Sequence, residues 1–331
     1  MASHEDDEEQ DRCRICFGGH DDGPLVRPCA CRGSAKCVHS ACLEKWRRTG
    51  PREDAAYRCG ECKDDFHDPL SLELLRERLQ AKRTNGQNTH SAVSRLAEEL
   101  LGQGKYDEAE PLCREALAGQ RQTLGDRHPD TLSAINQLGR LMDAKGDLTA
   151  AELLYREALE GRRAKLGNRH DATFWTINNL CMVMHKKGDL TGAELLYRET
   201  LDMARETLGN QHKNTLNFIC NLGSLMYAKG NLADAEKLCR EALEGQRKTL
   251  GNRHPKTLIS VNNLGRILQE KGDLAAAETL YREAVEGQRK KLGDRHPHTL
   301  TCIGNLGALL QMKDDAASKR LAAFLAEFDL I

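Results

Sequence analysis

The chain has 331 residues, 39% hydrophobic but only 4% aromatic, with 28 Gly and 8 Pro, a composition that suits a soluble helical protein and argues against a β-sandwich. Its 49 Lys and Arg against 50 Asp and Glu leave a net charge of −1, which excludes a global field for nucleic acid or an anionic membrane. No stretch approaches the roughly 18 uninterrupted apolar residues of a membrane span, and no secretory signal is evident, so the expected location is the cytoplasm or the nucleus.

Residues 1–10 carry the charge run Glu5, Asp6, Asp7, Glu8 and Glu9; with almost nothing to bury they are expected to stay solvated and to form no site. Residues 11–68 are organised around eight metal-type ligands in four pairs: Cys13 and Cys16, Cys29 and Cys31, His39 and Cys42, Cys59 and Cys62. A Cys-X-X-Cys turn aims two thiolates at one tetrahedral ion while a pair distant in sequence closes the site. Eight ligands therefore predict two structural zinc ions. Gly18, Gly19, Gly23, Pro24, Pro28 and Gly33 interrupt the stretch, leaving one short helix near Cys42 to Arg48. So few apolar residues cannot make an ordinary core, and the metal must supply the missing stability.

The pattern Cys13-Arg-Ile-Cys16, Cys29-Ala-Cys31-Arg-Gly-Ser, Val38-His39-Ser-Ala-Cys42-Leu43, Trp46 and Cys59-Gly-Glu-Cys62-Lys63, with Phe66 following, resembles the RING-variant (RING-CH) family known from membrane-associated MARCH-type ubiquitin ligases. The resemblance implies a cross-braced fold. Cys13, Cys16, His39 and Cys42 would hold one zinc, and Cys29, Cys31, Cys59 and Cys62 the other. It also implies ubiquitin ligase activity of the E3 class, without a covalent intermediate, with a ubiquitin-charged conjugating enzyme docked on Ile15 and Trp46. For each of these two residues, packing beneath the metal is the alternative role. Lys63 matches the place of a cation that contacts ubiquitin in many RING domains. A PHD finger, a histone-tail reader, has the same ligand order, but the single residue between Cys29 and Cys31 and the seven between Cys31 and His39 disfavour it, although Tyr57 partly matches the PHD aromatic. Cys37 lacks the X-X spacing to Cys42 that His39 has, and reads as a bystander.

Residues 69–88 read as a helical linker. Asp68-Pro69 supplies an N-cap and a first-turn proline, Leu70, Leu72, Leu74, Leu75 and Leu79 fall mostly at helical spacing, and Thr84-Asn-Gly-Gln-Asn88 ends it. From residue 89 the chain repeats itself. Leu-Gly recurs at Gly125, Gly167, Gly209, Gly251 and Gly293, and a second glycine at Gly104, Gly146, Gly188, Gly230 and Gly272, both every 42 residues. A fixed period of this length means a solenoid. Within one period Leu132, Ile135, Leu138 and Met142 form one helical stripe, and Leu148, Ala151, Tyr155, Ala158 and Leu159 a second. Each unit is a helical hairpin.

The small residues Gly139, Ala151 and Ala158, the run Gly104-Lys-Tyr106-Asp-Glu-Ala109 with Ala116-Leu117, and the Leu-Gly-Asp-Arg-His-Pro connectors resemble tetratricopeptide (TPR) repeats of the kinesin-light-chain type. The expected fold class is therefore mostly α: a small two-zinc module followed by an α-solenoid. The array is expected over 89–313, with five full repeats and a sixth first helix, and a capping helix over 314–331 carrying Leu321, Phe324 and Leu325.

Such arrays bind extended peptides or partner helices along first-helix faces. The candidates are Asn179, Asn221, Asn263 and Asn305, with Gln137 in register, then Asn136, Asn178 and Asn262 one residue earlier, and Trp175, Arg140 and Arg266 as anchor and cations for acidic ligands. Amides can both donate to and accept from a peptide backbone; equally, they can cross-link neighbouring helices. His128, His170, His212, His254 and His296 recur once per connector, too far apart to share a metal, and are expected to be connector or cap residues. No phosphate loop or nucleophile elbow is present in the array. The expected division of labour is a zinc module that recruits the conjugating enzyme and ubiquitin, and an array that selects a protein substrate or adaptor. The alternative is a non-enzymatic scaffold.

Overall fold

The computed structural model describes residues 12–17, 24–26, 37–49, 59 and 69–313. The acidic tail, Cys29, Cys31, Cys62, Lys63 and the expected capping helix lie outside the described residues. The chain divides into two units, Met1–Gly146 and Asp147–Ile331.

In the first unit β1 (Leu25–Val26) pairs antiparallel with β2 (Val38–His39), Leu25 opposite His39 and Val26 opposite Val38. β2 runs directly into α1 (Ser40–Thr49). A small core gathers here: Cys13, Val38, Leu43 and Cys59 are buried, and Leu25, Val26, Cys42 and Trp46 pack against them. The helices α2 (Pro69–Thr84), α3 (His90–Gly102), α4 (Tyr106–Leu124) and α5 (Pro129–Lys145) follow. α2 buries Leu72, Leu74, Leu75 and Leu79 and packs on α3. Arg76 and Arg83 on its polar side pair with Glu108 and Glu115 of α4 at 2.5 and 2.6 Å. The segment between zinc module and repeats is thus an added layer of the helical stack.

The second unit continues the alternation with α6 (Leu148–Leu166), α7 (Asp171–Lys187), α8 (Leu190–Leu208), α9 (Lys213–Ala228), α10 (Leu232–Leu250), α11 (Pro255–Glu270), α12 (Leu274–Leu292) and α13 (Pro297–Lys313). Each first helix packs against its sequence neighbours, and α7, α9, α11 and α13 also touch one another in turn.

The connectors show why the helices begin and end where they do. The longer helices stop at Gly125, Gly167, Gly209, Gly251 and Gly293, all with φ between 83° and 88°, a region that favours glycine because it has no Cβ. The connector histidines are N-caps. Nδ1 of His128, His170, His212, His254 and His296 accepts from the backbone N–H two residues on, at 3.1 to 3.2 Å, which satisfies one of the donors every helix start leaves open. The buried Thr131, Thr173 and Thr299 donate back to the carbonyls of Gly125, Gly167 and Gly293 at 2.8 Å. Hairpin closure needs small residues: a Cβ on Gly223 would stand 2.8 Å from Cys239 Sγ, and one on Gly265 2.8 Å from the Tyr281 ring.

An ion ladder repeats with the fold. From α5 on, a lysine at the end of each first helix, in its last turn or as its C-cap, reaches a glutamate of the preceding second helix: Lys145 to Glu110 at 2.8 Å, Lys187 to Glu152 and Lys313 to Glu278 at 2.6 Å, and likewise the C-caps Lys229 to Glu194 and Lys271 to Glu236. Each glutamate also pairs with the arginine four residues on, as Glu152 does with Arg156. The lysine first, and then the arginine, holds the carboxyls of Glu110, Glu152, Glu194 and Glu236 below the usual carboxylate range. A carboxyl whose folded value is depressed contributes stability that is present above the unfolded value near 4.5 and lost as pH falls through the folded one. His254 follows the same sign: burial, then Lys256 and Lys291, lower it from 6.5, so its cap is kept above 6.5 and weakens below it. The midpoint temperature of thermal unfolding is therefore expected to be level above pH 6.5, to slope slightly below it and to fall steeply below pH 4.5. A midpoint unchanged between pH 6.5 and 3.5 would refute the ladder's contribution.

Candidate metal centre and repeat groove

The metal centre is assembled from three short pieces. Cys13 to Cys16 form a tight turn closed by the Phe17 N–H donating to the Cys13 carbonyl at 2.8 Å. His39 ends β2, and Cys42 follows one turn later on α1, so strand pairing brings one ligand and helix spacing the next. The ligand atoms of Cys13, Cys16, His39 and Cys42 all lie within 4.8 Å of one another. His39 faces the group with Nδ1, 3.2 Å from Cys16 Sγ and 3.9 Å from Cys42 Sγ, while its backbone N–H donates to Cys13 Sγ at 3.3 Å. Zinc bonds of about 2.3 Å to sulfur and 2.0 Å to nitrogen place tetrahedral donors roughly 3.5 to 3.8 Å apart. Three thiols and an imidazole at these separations fit a structural zinc ion. Cys37 is buried but is outside this group.

The electrostatics point the same way. Burial pushes the Cys13 thiol up, but the backbone N–H groups of Cys16, His39 and Ile15 together outweigh it and bring it down to about 6. Cys42 is pushed up to about 11, chiefly by the Cys16 side chain and then by burial and Cys13. One thiolate forms readily and the next is opposed by it; a bound dication removes that conflict, because coordination deprotonates the thiol outright.

Of the second expected set, Cys59 is described and fully buried. Arg14, between the ligands of the first turn, donates Nη2 to Cys59 Sγ at 3.4 Å, and the Arg14 N–H donates to the Cys37 carbonyl at 3.1 Å. The guanidinium joins Cys59 to the turn that carries Cys13 and Cys16, a contact that ligand spacing does not reveal. Around the centre, Ile15 is 37% exposed and Trp46 is partly buried against the small core.

α1 is tied to α2 by its two consecutive arginines. Arg47, fully buried, donates to Ser71 Oγ at 2.7 Å, and its carbonyl accepts from Arg78 Nη2 at 3.1 Å. Arg48 pairs with Glu44, Glu73 and Glu77.

In the repeats, the recurring amides bond from helix to helix. Gln137 donates to the Ser94 carbonyl at 2.8 Å, Asn221 to Asn178 Oδ1 at 2.5 Å and Asn305 to Asn262 Oδ1 at 2.9 Å; Asn263 reaches Cys220. Asn136 Oδ1 and Asn179 Nδ2 are buried without a hydrogen-bond partner. Arg140 stands 3.7 Å from Glu98, and Arg266 lies over the Tyr227 ring at 4.8 Å from its centroid. Trp175 is 49% exposed on α7, with Met182 two turns further along the same helix. Burial pushes the thiols of Cys113 and Cys302 up to about 11 and that of Cys239 up to about 12, which disfavours the thiolate form.

Comparison with known proteins agrees with both halves. The RING-variant domain family matches residues 13–62. Tetratricopeptide repeat families match residues 88–164, 214–290 and 262–321, and 173–213. The E3 ubiquitin-protein ligase MARCHF8 of Xenopus tropicalis is 44% identical over 75 residues, which is 22% of this chain and 26% of that one; the chain thus spans only about a quarter of that relative's length. Among solved structures, the putative kinesin light chain TPR-like repeats of Podosopora anserina are 25% identical, with a TM-score of 0.52, covering 61% of this chain and 96% of theirs. BtubC (BKLC) from P. vanneervenii is likewise 25% identical, with a TM-score of 0.54, covering 68% of this chain and 89% of its own. No helix among the described residues is long and apolar enough to cross a membrane. The repeat match extends over more than half of the sequence, so the chain belongs to the tetratricopeptide repeat family, and it carries a RING-variant domain at residues 13–62.

Proposed function

We propose that this chain is a RING-type ubiquitin ligase of the E3 class whose zinc module docks a ubiquitin-charged conjugating enzyme and whose repeats hold a protein substrate or adaptor. The observation that carries the reading is the Cys13, Cys16, His39, Cys42 group inside the RING-variant match, with Ile15 exposed beside it. A first zinc would be held by that group and a second by Cys29, Cys31, Cys59 and Cys62; both supply structure. No side chain in the module is asked to attack. Catalysis is positioning: holding the thioester and an incoming lysine together converts a bimolecular step into an effectively unimolecular one.

Ile15 and Trp46 are the proposed contacts for the conjugating enzyme. Ile15 lies within the metal turn with its side chain partly in water, and Trp46 is partly buried against the small core, which suits an amphipathic anchor. For the repeats, we propose that the face carrying Trp175 in the second unit takes an extended protein segment, with Asn178, Asn179, Asn221, Asn262, Asn263, Asn305 and Arg266 along it; in the first unit Asn136 and Arg140 hold the equivalent places. The amides that bridge helices keep this face in register, and Trp175 supplies apolar contact area.

The test is discharge of ubiquitin from a panel of charged conjugating enzymes. Ile15→Ala and Trp46→Ala are each expected to slow discharge about tenfold or more, the loss typical of a buried interface anchor, with zinc content unchanged. If the wild-type chain is inactive with the whole panel, the ligase reading is wrong; if wild type is active and both variants discharge at its rate, the docking on Ile15 and Trp46 is wrong.

A further inference from the structure

The two ligand sets differ in charge. Three thiolates and a neutral imidazole leave one negative charge uncompensated on a zinc dication, whereas the four thiolates of the second set leave two. Surplus charge is costly where water is excluded unless a cation or a hydrogen-bond donor faces it, and Cys59, the described member of the second set, is fully buried. Arg14 supplies both. Its Nη2 donates to Cys59 Sγ at 3.4 Å, and a hydrogen bond from a charged donor to a thiolate is about twice as strong as a neutral one.

Arg14 is itself placed by the first set. It stands between Cys13 and Cys16 in the metal turn, and its N–H donates to the carbonyl of buried Cys37, next to β2. A metal that closes the first set therefore fixes the backbone from which the guanidinium reaches Cys59. We propose that Arg14 is a positioning residue for the second zinc: it orients the Cys59 sulfur, offsets the surplus charge of the four-thiolate set and makes filling of one set favour filling of the other. Coupling of this kind is reciprocal. The inference rests on the two-zinc reading above and is independent of ligase activity.

Extraction of metal from the full, zinc-loaded chain tests this without any transfer of ubiquitin. In native mass spectra taken along a chelator titration, wild type is expected to pass from two ions to none with little of the singly loaded form. Arg14→Met keeps most of the length and loses the charge and the donor. It should yield one ion about 10–100-fold more readily, the loss typical when a metal ligand is deprived of its outer hydrogen-bond partner, and should accumulate the singly loaded form. With cobalt in place of zinc, the ion that stays should absorb as a site of three thiolates and one imidazole. Arg14→Lys, still a cation and a donor, should recover part of the loss. If Arg14→Met releases metal as wild type does, the proposal is overturned and the two-zinc reading stands; a single ion in wild type overturns both. A loss as large in Arg14→Lys as in Arg14→Met would make shape the cause, and faster loss of both ions together from Arg14→Met would make the residue part of the packing; either overturns the proposal.

Discussion

Replacing His39 with alanine is expected to unfold the zinc module and abolish discharge of ubiquitin while leaving the solenoid's helical signal nearly intact. The module's described core consists of four buried side chains, Cys13, Val38, Leu43 and Cys59, with a few partners packed against it. Burial of an aliphatic side chain contributes about 1.5–3 kcal/mol, whereas fixing the backbone costs about 1–2 kcal/mol for every residue ordered. Ordering the ten residues of α1 alone therefore costs as much as this core supplies, or more. Structural zinc contributes on the order of 10–16 kcal/mol of apparent binding free energy in small modules, enough to reverse the balance. His39 matters beyond its imidazole, because its N–H also donates to Cys13 Sγ and its position ends the only strand pair among the described residues. The variant should lose zinc by native mass spectrometry, and wild type should carry two ions. Helices α3 to α13 hold their own buried stripes and caps, so ellipticity at 222 nm should fall only slightly. A variant that kept its zinc and its discharge rate would show that His39 is not a ligand.

Local patterns were the readable ones. Cys13 with Cys16, and His39 with Cys42, announce themselves because two ligands one turn apart must face one ion, and the four come together within 4.8 Å. The solenoid is equally plain, since a 42-residue recurrence of glycine, stripe and connector repeats one hairpin. What escaped notice depends on neighbours in space. Asn221 and Asn305 recur every 42 residues, but their hydrogen-bond acceptors stand 43 residues back, on Asn178 and Asn262. Periodicity shows that the position matters and not which helix it touches. The connector histidines were legible as connector or cap residues from their recurrence, while the capping atom, Nδ1, depends on backbone geometry at the helix start. Phe17 looks like one more hydrophobic residue until its φ of 64° is seen. Arg47 lies 24 residues from Ser71, with no sequence period linking them, and nothing in a run of two arginines says which one turns inward.

That inward arginine carries the second large expected effect: Arg47→Ala should loosen the zinc module from the first helical layers without removing its ligands. The side chain is fully buried, its guanidinium donates to Ser71 Oγ, and its carbonyl is held by Arg78. α2 is in turn fastened to α4 by Arg76 and Arg83 and packed on α3, so α1, α2 and the first hairpin of the array form one continuous connection. Truncation leaves a cavity and removes the guanidinium that donates to Ser71 Oγ, together about 2–4 kcal/mol. Arg47→Met keeps most of the volume and loses only the hydrogen bonds, so its effect should be smaller. Arg48→Ala should be milder than either, because that side chain is in water and exposed ion pairs contribute little. Hydrogen exchange separates these outcomes: amides of α1 and the first half of α2 should exchange faster in Arg47→Ala, chelator should extract zinc sooner, and α6 to α13 should be unaffected. If α1 and α2 kept wild-type protection in Arg47→Ala and zinc left no faster, the joint would be held by something other than this arginine. If the joint does loosen, the same variant should still discharge free ubiquitin but transfer it less well to whatever the repeats hold, since positioning is lost when either end of the connection gives way.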